Sequence, residues 1–514
     1  MSQLVKLLQD RLQLSEPCVF FQDTWHLTSD LQRDADRVTS LLREAGITTG
    51  DRVLLSEINS YGFLAVYLGI LMAGAVVVPV NPEMPIPELF KVSKRASVRG
   101  AFVAPSRRTL LQEAWDLDLV FIGTLLDDQS EFALTTYRCQ EGQWQLMKGN
   151  AVQLAPMAMQ EEAGAILLFT SGTTGEPKGV LLTHRQVYKT VQNVILAHQL
   201  TKNDIVYAFL PLFHINAQVI GFLSTMVSQG KIVLEKKFSA SRFWTTVCEM
   251  GITWISAVPT VIGILNRSQH ELEAKHNVRF VRTASAALPQ LEAKRFETRF
   301  SLPIVESYGM TEAASQICVN PLPPGLRKLG SVGIPVGIDL AIKDDEGRTV
   351  PRGTLGEITI AGESVIDHYA SGEQTGKSFL EGYFYTGDIG YQDKDGYVFI
   401  TGRKKEMINR AGQKISPREV EEVIAQDANV QTVAVIGLPD PLYGERVVAY
   451  VTTQNMPVEK QDEWKMALDH RCRQSISSYK CPVEYQVVDQ IPVGPTGKIQ
   501  RTRLKQQVLA VGSV

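Results

Sequence analysis

Apolar residues recur at helical spacing through the opening MSQLVKLLQDRLQL and again through residues 28–46, so both stretches read as amphipathic helices. A strand begins across Asp51 to Leu55. Phe63 to Val80 (FLAVYLGILMAGAVVVPV) carries no charge and is long enough to suggest a membrane helix. It divides at Gly74 into a buried helix that stops at the glycine and a buried strand, AVVVPV. AGAILLFT is a continuous apolar run entering a turn rich in Gly, Ser and Thr. GVLLT follows, and a helix starts at about His184, where Thr183 and Gln186 have capping-box spacing. GKIVLE, TWISAVP, VRFVRTAS and LPIVESYG read as further short strands. Alternation of this kind predicts parallel sheet covered by helices.

From Gly330 to Ile400 the pattern changes to Gly, Asp and β-branched residues, which predicts small β structure with tight turns. After it, PREVEEVIAQ and EWKMALDHRCRQSI read as helices, and VQTVAVIGLPD and RVVAYVTT as strands. The charged, glycine-bounded GRKKEMINRAGQK precedes them and marks a domain boundary. The expected fold class is α/β: a large N-terminal domain of helix-covered sheets with a small β subdomain, over 1–403, and a small mobile α+β C-terminal domain over 404–514.

Composition adds exclusions. The 514 residues are 44% hydrophobic and 21% charged with a formal net charge of -3, so there is no general attraction to nucleic acid or anionic membrane. Six cysteines lie scattered without a CxxC pair, which fits reduced structural thiols rather than a zinc site or disulfide framework. The first residues carry charges inside the apolar stretch and no small-residue cleavage site, so a cytoplasmic protein without an integral membrane segment is expected.

The local signal with the most chemistry in it is TSGTTGEPKG, Thr170 to Gly179. Its glycines (Gly172 and Gly175 among them) let the backbone approach an anion, and successive N–H groups in such a turn form a nest for one. Ser171, Thr173 and Thr174 add hydroxyl donors, and Lys178 adds a mobile positive charge. The pattern suits a polyphosphate. It is not the GxxxxGK[ST] loop, because proline precedes Lys178 and no Ser or Thr follows it.

This stretch resembles the signature of the adenylate-forming superfamily: acyl-CoA synthetases, peptide-synthetase adenylation domains and firefly-type luciferases. YGMTE (Tyr308 to Glu312), YTGD (Tyr385 to Asp388), GRKKEMINRAGQKISPRE (Gly402 to Glu419) and PVGPTGKIQR (Pro492 to Arg501) match in the same order, as do GDRV and AGAVVVPVNP. The resemblance covers nearly the whole chain. It implies an AMP-forming acid–thiol ligase, in which a carboxylate attacks the α-phosphorus of ATP, pyrophosphate leaves, and coenzyme A displaces AMP from the acyl-adenylate.

By the same resemblance, Thr170 to Lys178 holds the β- and γ-phosphates, Thr311 contacts the α-phosphate, and Glu312 helps hold Mg²⁺. Asp388 accepts from the ribose hydroxyls and Arg403 adds a ribose or phosphate contact. Tyr308 stacks on adenine, whose edge is read by backbone around Ala286 and from Glu306 and Ser307 toward Gly309. Lys498, in GPTGK, bridges carboxylate and α-phosphate during adenylation. Lys405 is the hinge about which the small domain turns, swinging Lys498 out and bringing Gly412 against the pantetheine arm. Lys404 or Arg410 is a candidate for a phosphate of coenzyme A; the alternative is a solvated charged face.

PLFHINAQ (Pro211 to Gln218) resembles the start of the acyl pocket in acyl-CoA synthetases, with His214 as the gate toward the thiol channel and Asn216 and Gln218 as polar pocket residues. Crotonobetaine/carnitine-CoA ligases and oxalate-CoA ligases are the nearest subgroups. Neither substrate transfers: Asn216 stands where an acid would face a trimethylammonium, and Ser315 where oxalate ligases carry histidine. A short polar acid, an aromatic acid and a fatty acid all stay open. The competing readings are a stand-alone enzyme that loads a carrier protein, a luciferase-like oxygenase, and a nucleotide-binding regulator without catalysis. Joint retention of Glu312, Asp388 and Lys498 speaks against the last.

Overall fold

The computed structural model describes residues 2–112, 119–125, 132, 134–140, 143–147, 159–170, 178–272, 275–370, 378–453, 456–494 and 499–511. The expected α/β class is what it shows. Six parallel strands lie side by side in the larger sheet: Pro17–Phe21, Lys231–Leu234, Ile205–Ala208, Trp254–Ala257, Phe280–Thr283 and Ile304–Tyr308. In the second sheet Gly164–Thr170, Val76–Pro79, Arg52–Ser56, Val98–Val103 and Phe121–Leu125 are parallel neighbours. Their short, uninterrupted apolar runs are what a strand covered on both faces requires.

Phe63 to Val80 folds as read: the helix Tyr61–Met72, a reversal at Gly74 with φ +76°, and the strand Val76–Pro79. Among the described residues no helix is long and apolar enough to cross a membrane. Thr183 caps the helix His184–His198 reciprocally with Gln186: its Oγ1 accepts from the Gln186 N–H at 3.2 Å, and Gln186 Oε1 accepts from the Thr183 N–H at 2.8 Å. One apolar core that includes Val38, Phe63, Tyr67, Val191, Phe222, Trp254 and Phe280 joins these helices to the sheets.

The region after Gly330 forms a five-stranded antiparallel sheet that includes Gly356–Ala361, Tyr383–Gln392 and Val398–Arg403. The charged boundary segment is more ordered than a linker. Lys404–Glu406 is a single 3₁₀ turn, and Ile408–Arg410 pairs with Gln413–Ile415 as a hairpin on the last sheet. That sheet also holds Val430–Asp440, Gly444–Thr453 and Glu484–Val487.

Among the described residues three histidines are buried, His26, His184 and His198, and His214 is half-buried; burial lowers the pKa of each. Burial pulls the imidazoles of His184 and His214 down to about 4 and that of His198 to about 3, with Arg282 adding to the effect at His198. Each stays neutral when folded but takes a proton below about 6.5 when unfolded, so its contribution to stability is lost as pH falls. For fully buried His184 and His198 this amounts to roughly 3 and roughly 5 kcal/mol respectively at full development. Glu306, pushed up to about 7 by burial, works in the opposite direction over the same range. The expected result is a thermal midpoint that falls between pH 7.5 and 5.5, with a shallower slope in His198→Gln. A midpoint that rises on acidification would contradict this.

Candidate functional site

The two ends of the glycine-rich stretch are held side by side: Thr170 and Lys178 are direct antiparallel partners at the end of Gly164–Thr170 and the start of Lys178–Thr183. The intervening Ser171, Gly172, Thr173, Thr174 and Gly175 lie outside the described residues. Lys178 Nζ stands 4.6 Å over the ring of Tyr369, and the Tyr369 hydroxyl donates to Glu312 Oε1 at 3.1 Å. Backbone bonds tie the same parts together, from the Ala370 N–H to the Gly179 carbonyl at 2.9 Å and from Ile366 to Glu312 at 2.9 Å. Burial raises the Glu312 carboxyl above its ordinary value; the Tyr369 hydrogen bond and the charges of Arg403 and Lys178 oppose that rise. Thr311, half-buried, opens the one-turn helix that Glu312 shares.

A second cluster lies where the large sheet meets the five-stranded one. Asp388 is 3% exposed; its Oδ2 accepts from the Tyr308 hydroxyl at 2.6 Å and its Oδ1 faces Arg403 Nε at 2.6 Å. Burial and then Asp388 push the Tyr308 phenol well above its usual range, so it stays a donor. Burial would lower Arg403, but Asp388, Tyr308, Glu406 and Glu312 outweigh it and its pKa rises. Three motifs distant in sequence thus converge on one carboxylate. Glu306 and Ser307 precede Tyr308 on its strand, with the Ser307 hydroxyl donating to the Thr283 carbonyl at 3.2 Å; Gly309 follows it, and half-exposed Ala286 lies just beyond the neighbouring strand.

Lys404 is half-exposed and paired, 2.9 Å from Glu357 Oε2 and 3.2 Å from Asp345 Oδ1. Arg410 donates to the Tyr479 carbonyl at 2.9 Å and lies over the Tyr443 ring. Lys405 is exposed, and Gly412 (φ +85°) sits at the hairpin turn with open space around it. Lys498 lies outside the described residues. On either side of residues 495–498, Val493 bridges Ile499, and Arg501 reaches Glu406 at 3.0 Å and Glu421 at 2.6 Å.

On the acyl side His214 packs against Phe213 with ring centroids 4.2 Å apart, and its Nε2 is buried without a hydrogen-bond partner. Asn216 opens a π-helix, Asn216–Leu223, a geometry often found at functional sites and not foreseen from the sequence. Asn216 Oδ1 accepts from Arg282 Nη1 at 3.0 Å; Gln218, fully buried, accepts from the Tyr67 hydroxyl at 3.3 Å. Sequence reasoning missed Tyr369, Glu357 and Arg282. Only Arg282 left a usable trace, as a cation inside an otherwise apolar strand.

A family model described as AMP-binding enzyme matches residues 9–370, and a second, described as AMP-binding enzyme C-terminal domain, matches residues 419–498. The chain belongs to the AMP-binding enzyme family. A sulfoacetate–CoA ligase from Cupriavidus necator is 36% identical, the match covering 95% of this chain and 94% of that one. An oxalate–CoA ligase from Arabidopsis thaliana is 33% identical over 98% of this chain and 97% of its own length. The crystal structure of ATP-bound MatB from Rhodopseudomonas palustris superposes with a TM-score of 0.88 at 25% identity, covering 99% of each chain. In this AMP-binding enzyme Lys178 and Thr311 lie beside Glu312 and Tyr308 and Arg403 beside Asp388, whereas Lys404, Lys405, Arg410 and Gly412 lie apart from both.

Proposed function

We propose that this chain, an ATP-dependent carboxylic acid–CoA ligase forming AMP, activates a small acid with the clusters around Glu312 and Asp388 holding the nucleotide. The activity follows the family and the CoA ligases that it resembles over nearly their full length. The division of labour within the site is our reading. The observation that carries it is the convergence of Tyr308, Asp388 and Arg403, a buried carboxylate with a phenol and a guanidinium beside it. Such a carboxylate can accept from sugar hydroxyls while the tyrosine borders the base.

Lys178 and the glycine-rich loop supply donors for the β- and γ-phosphates. Thr311 donates to the α-phosphate. Among the described residues no group of three or more acidic, His or Cys side chains could enclose a metal, whereas Glu312 offers a single buried carboxylate. That fits Mg²⁺, which completes its shell with phosphate oxygens and water, and which would neutralise phosphate charge when bound. Lys498 offsets the charge that develops as the acid oxygen attacks. The segment from residue 404 onward then turns about Lys405, so that Lys498 withdraws and Gly412 faces the thiol arm. His214, neutral at working pH, separates acid from thiol. Release of Lys404 from Glu357 and Asp345 would free it for a phosphate of coenzyme A.

Pyrophosphate release measured over a panel of small, aromatic and long-chain acids, with and without coenzyme A, tests this. A small acid should give rapid release and a free acyl-CoA thioester. Release that yields thioester only on a carrier protein, or that favours long-chain acids, would overturn the corresponding part.

A further inference from the structure

Lys178 and Glu312 have opposite charges and stand at two edges of one buried side chain. Lys178 Nζ lies over the Tyr369 ring, 4.6 Å from its centroid, and the Tyr369 hydroxyl donates to Glu312 Oε1 at 3.1 Å. An ammonium and a carboxylate this near attract strongly where water is scarce. Among the described residues, however, no ion pair joins them. The phenol ring stands between.

The ring is pinned from several directions. The Ala370 N–H, one residue on, donates to the carbonyl of Gly179, the neighbour of Lys178, at 2.9 Å. The Ile366 N–H, three residues back, donates to the Glu312 carbonyl at 2.9 Å. The backbone on either side of Tyr369 is thus stapled once to the Lys178 strand and once to the Glu312 turn. Phe379 and Phe384 border the ring with centroids 6.2 and 6.4 Å away, and they pack on each other at 5.0 Å. Phe384 belongs to Tyr383–Gln392, the strand that carries Asp388. A side chain wedged in this way has no other place to go.

We propose that Tyr369 is a positioning residue for adenylation: it holds Lys178 and Glu312 apart and aims each, the ammonium at the β- and γ-phosphates and the carboxylate at Mg²⁺. This rests on the ligase reading above. An aromatic face attracts a cation without neutralising it, so Lys178 stays beside the loop as a charge available to phosphate. The hydroxyl engages one oxygen of Glu312 and leaves the other to a metal, as partners of ligating carboxylates do. Without the ring, Lys178 would swing onto Glu312, and the pair would cancel the two charges that the nucleotide needs.

The two uses reside in different parts of the side chain, so two variants separate them. Tyr369→Phe keeps the spacer and loses the donor to Glu312. Tyr369→Leu loses both. Calorimetry of ATP binding to the full chain, once with Mg²⁺ and once with EDTA, reads them apart. Tyr369→Phe should bind ATP in EDTA as the wild type does, bind it more weakly with Mg²⁺, and need about 10- to 100-fold more Mg²⁺ for half-maximal pyrophosphate release. Tyr369→Leu should weaken ATP binding in EDTA as well. Adding Lys178→Met to Tyr369→Leu should then change little, although Lys178→Met alone weakens binding, because a lysine already paired with Glu312 has no phosphate contact left to lose. Equal loss with and without Mg²⁺ in Tyr369→Phe, an unaltered Mg²⁺ requirement, or full additivity of Tyr369→Leu with Lys178→Met would each overturn the proposal while leaving the ligase reading intact. If Tyr369→Leu does not fold, the nearly isosteric phenylalanine variant decides alone. A wild-type chain that binds ATP under neither condition would bring down the ligase reading itself.

Discussion

Lys498→Ala is expected to slow adenylate formation by about 10²- to 10³-fold, the usual cost of removing one preorganised charge from a transition state. In the adenylation step an acid oxygen and an α-phosphate, both negative, are forced together. A cation that touches both lowers the barrier only if it is held in place beforehand. Flanking residues 495–498, Val493 bridges Ile499, the Gln500 N–H donates to the Pro492 carbonyl at 2.8 Å, and Arg501 ties the helix Arg501–Val511 to Glu406 and Glu421. Glu406 adjoins Lys405, so the segment beginning at Arg501 and the proposed hinge are tied by one ion pair and should move together. The thioester step uses a finished adenylate and does not need this charge. Acyl-AMP supplied from outside should therefore be converted with coenzyme A within about fivefold of the wild-type rate, by analogy with other groups that act in one step only. Single-turnover measurement of the two half-reactions separates these outcomes, and comparable loss in both would remove Lys498 from the role given to it.

Gly333→Ala is expected to have the largest effect on folding. Gly333 has φ +91°, and a Cβ there would stand 2.0 Å from the Val319 carbonyl carbon and 2.1 Å from the Asn320 nitrogen. Those atoms are backbone and cannot rotate away. Strain at positive φ and overpacking each cost about 1–3 kcal/mol. The position also joins two sheets: the Val398 N–H donates to the Gly333 carbonyl at 2.8 Å, and the Val332 N–H to the Val398 carbonyl at 3.0 Å. Displacing it would pull the five-stranded sheet, and Asp388 with it, away from Tyr308. The unfolding midpoint should fall by several degrees, on the order expected for a few kcal/mol in a large domain, and the KM for ATP should rise. An alanine variant with unchanged midpoint and KM would show that the approach of the two backbones is not needed.

Much of the fold was readable because it rests on local rules. Gly74 ends a helix since it alone tolerates the reversal there, Thr183 and Gln186 satisfy each other within three residues, and the parallel strands announce themselves as unbroken apolar runs. GRKKEMINRAGQK was less readable, because charge and glycine mark a boundary, whereas its short hairpin is seated on the last sheet only through the pairing of Arg410 with Gly444. The π-helix after His214 has no local signature.

By itself the sequence determined the order of elements, the α/β class and, through its motifs, membership of a family that adenylates acids. Tertiary structure alone decided that Asp388 receives both Tyr308 and Arg403, that Tyr369 spans Lys178 and Glu312, and that Arg282 is buried with too few acceptors. The physical reason is range. Helix caps, glycine turns and strand periodicity act between residues a few places apart, whereas desolvation and ion pairing depend on which distant segments the packed sheets bring within a few ångströms of one another.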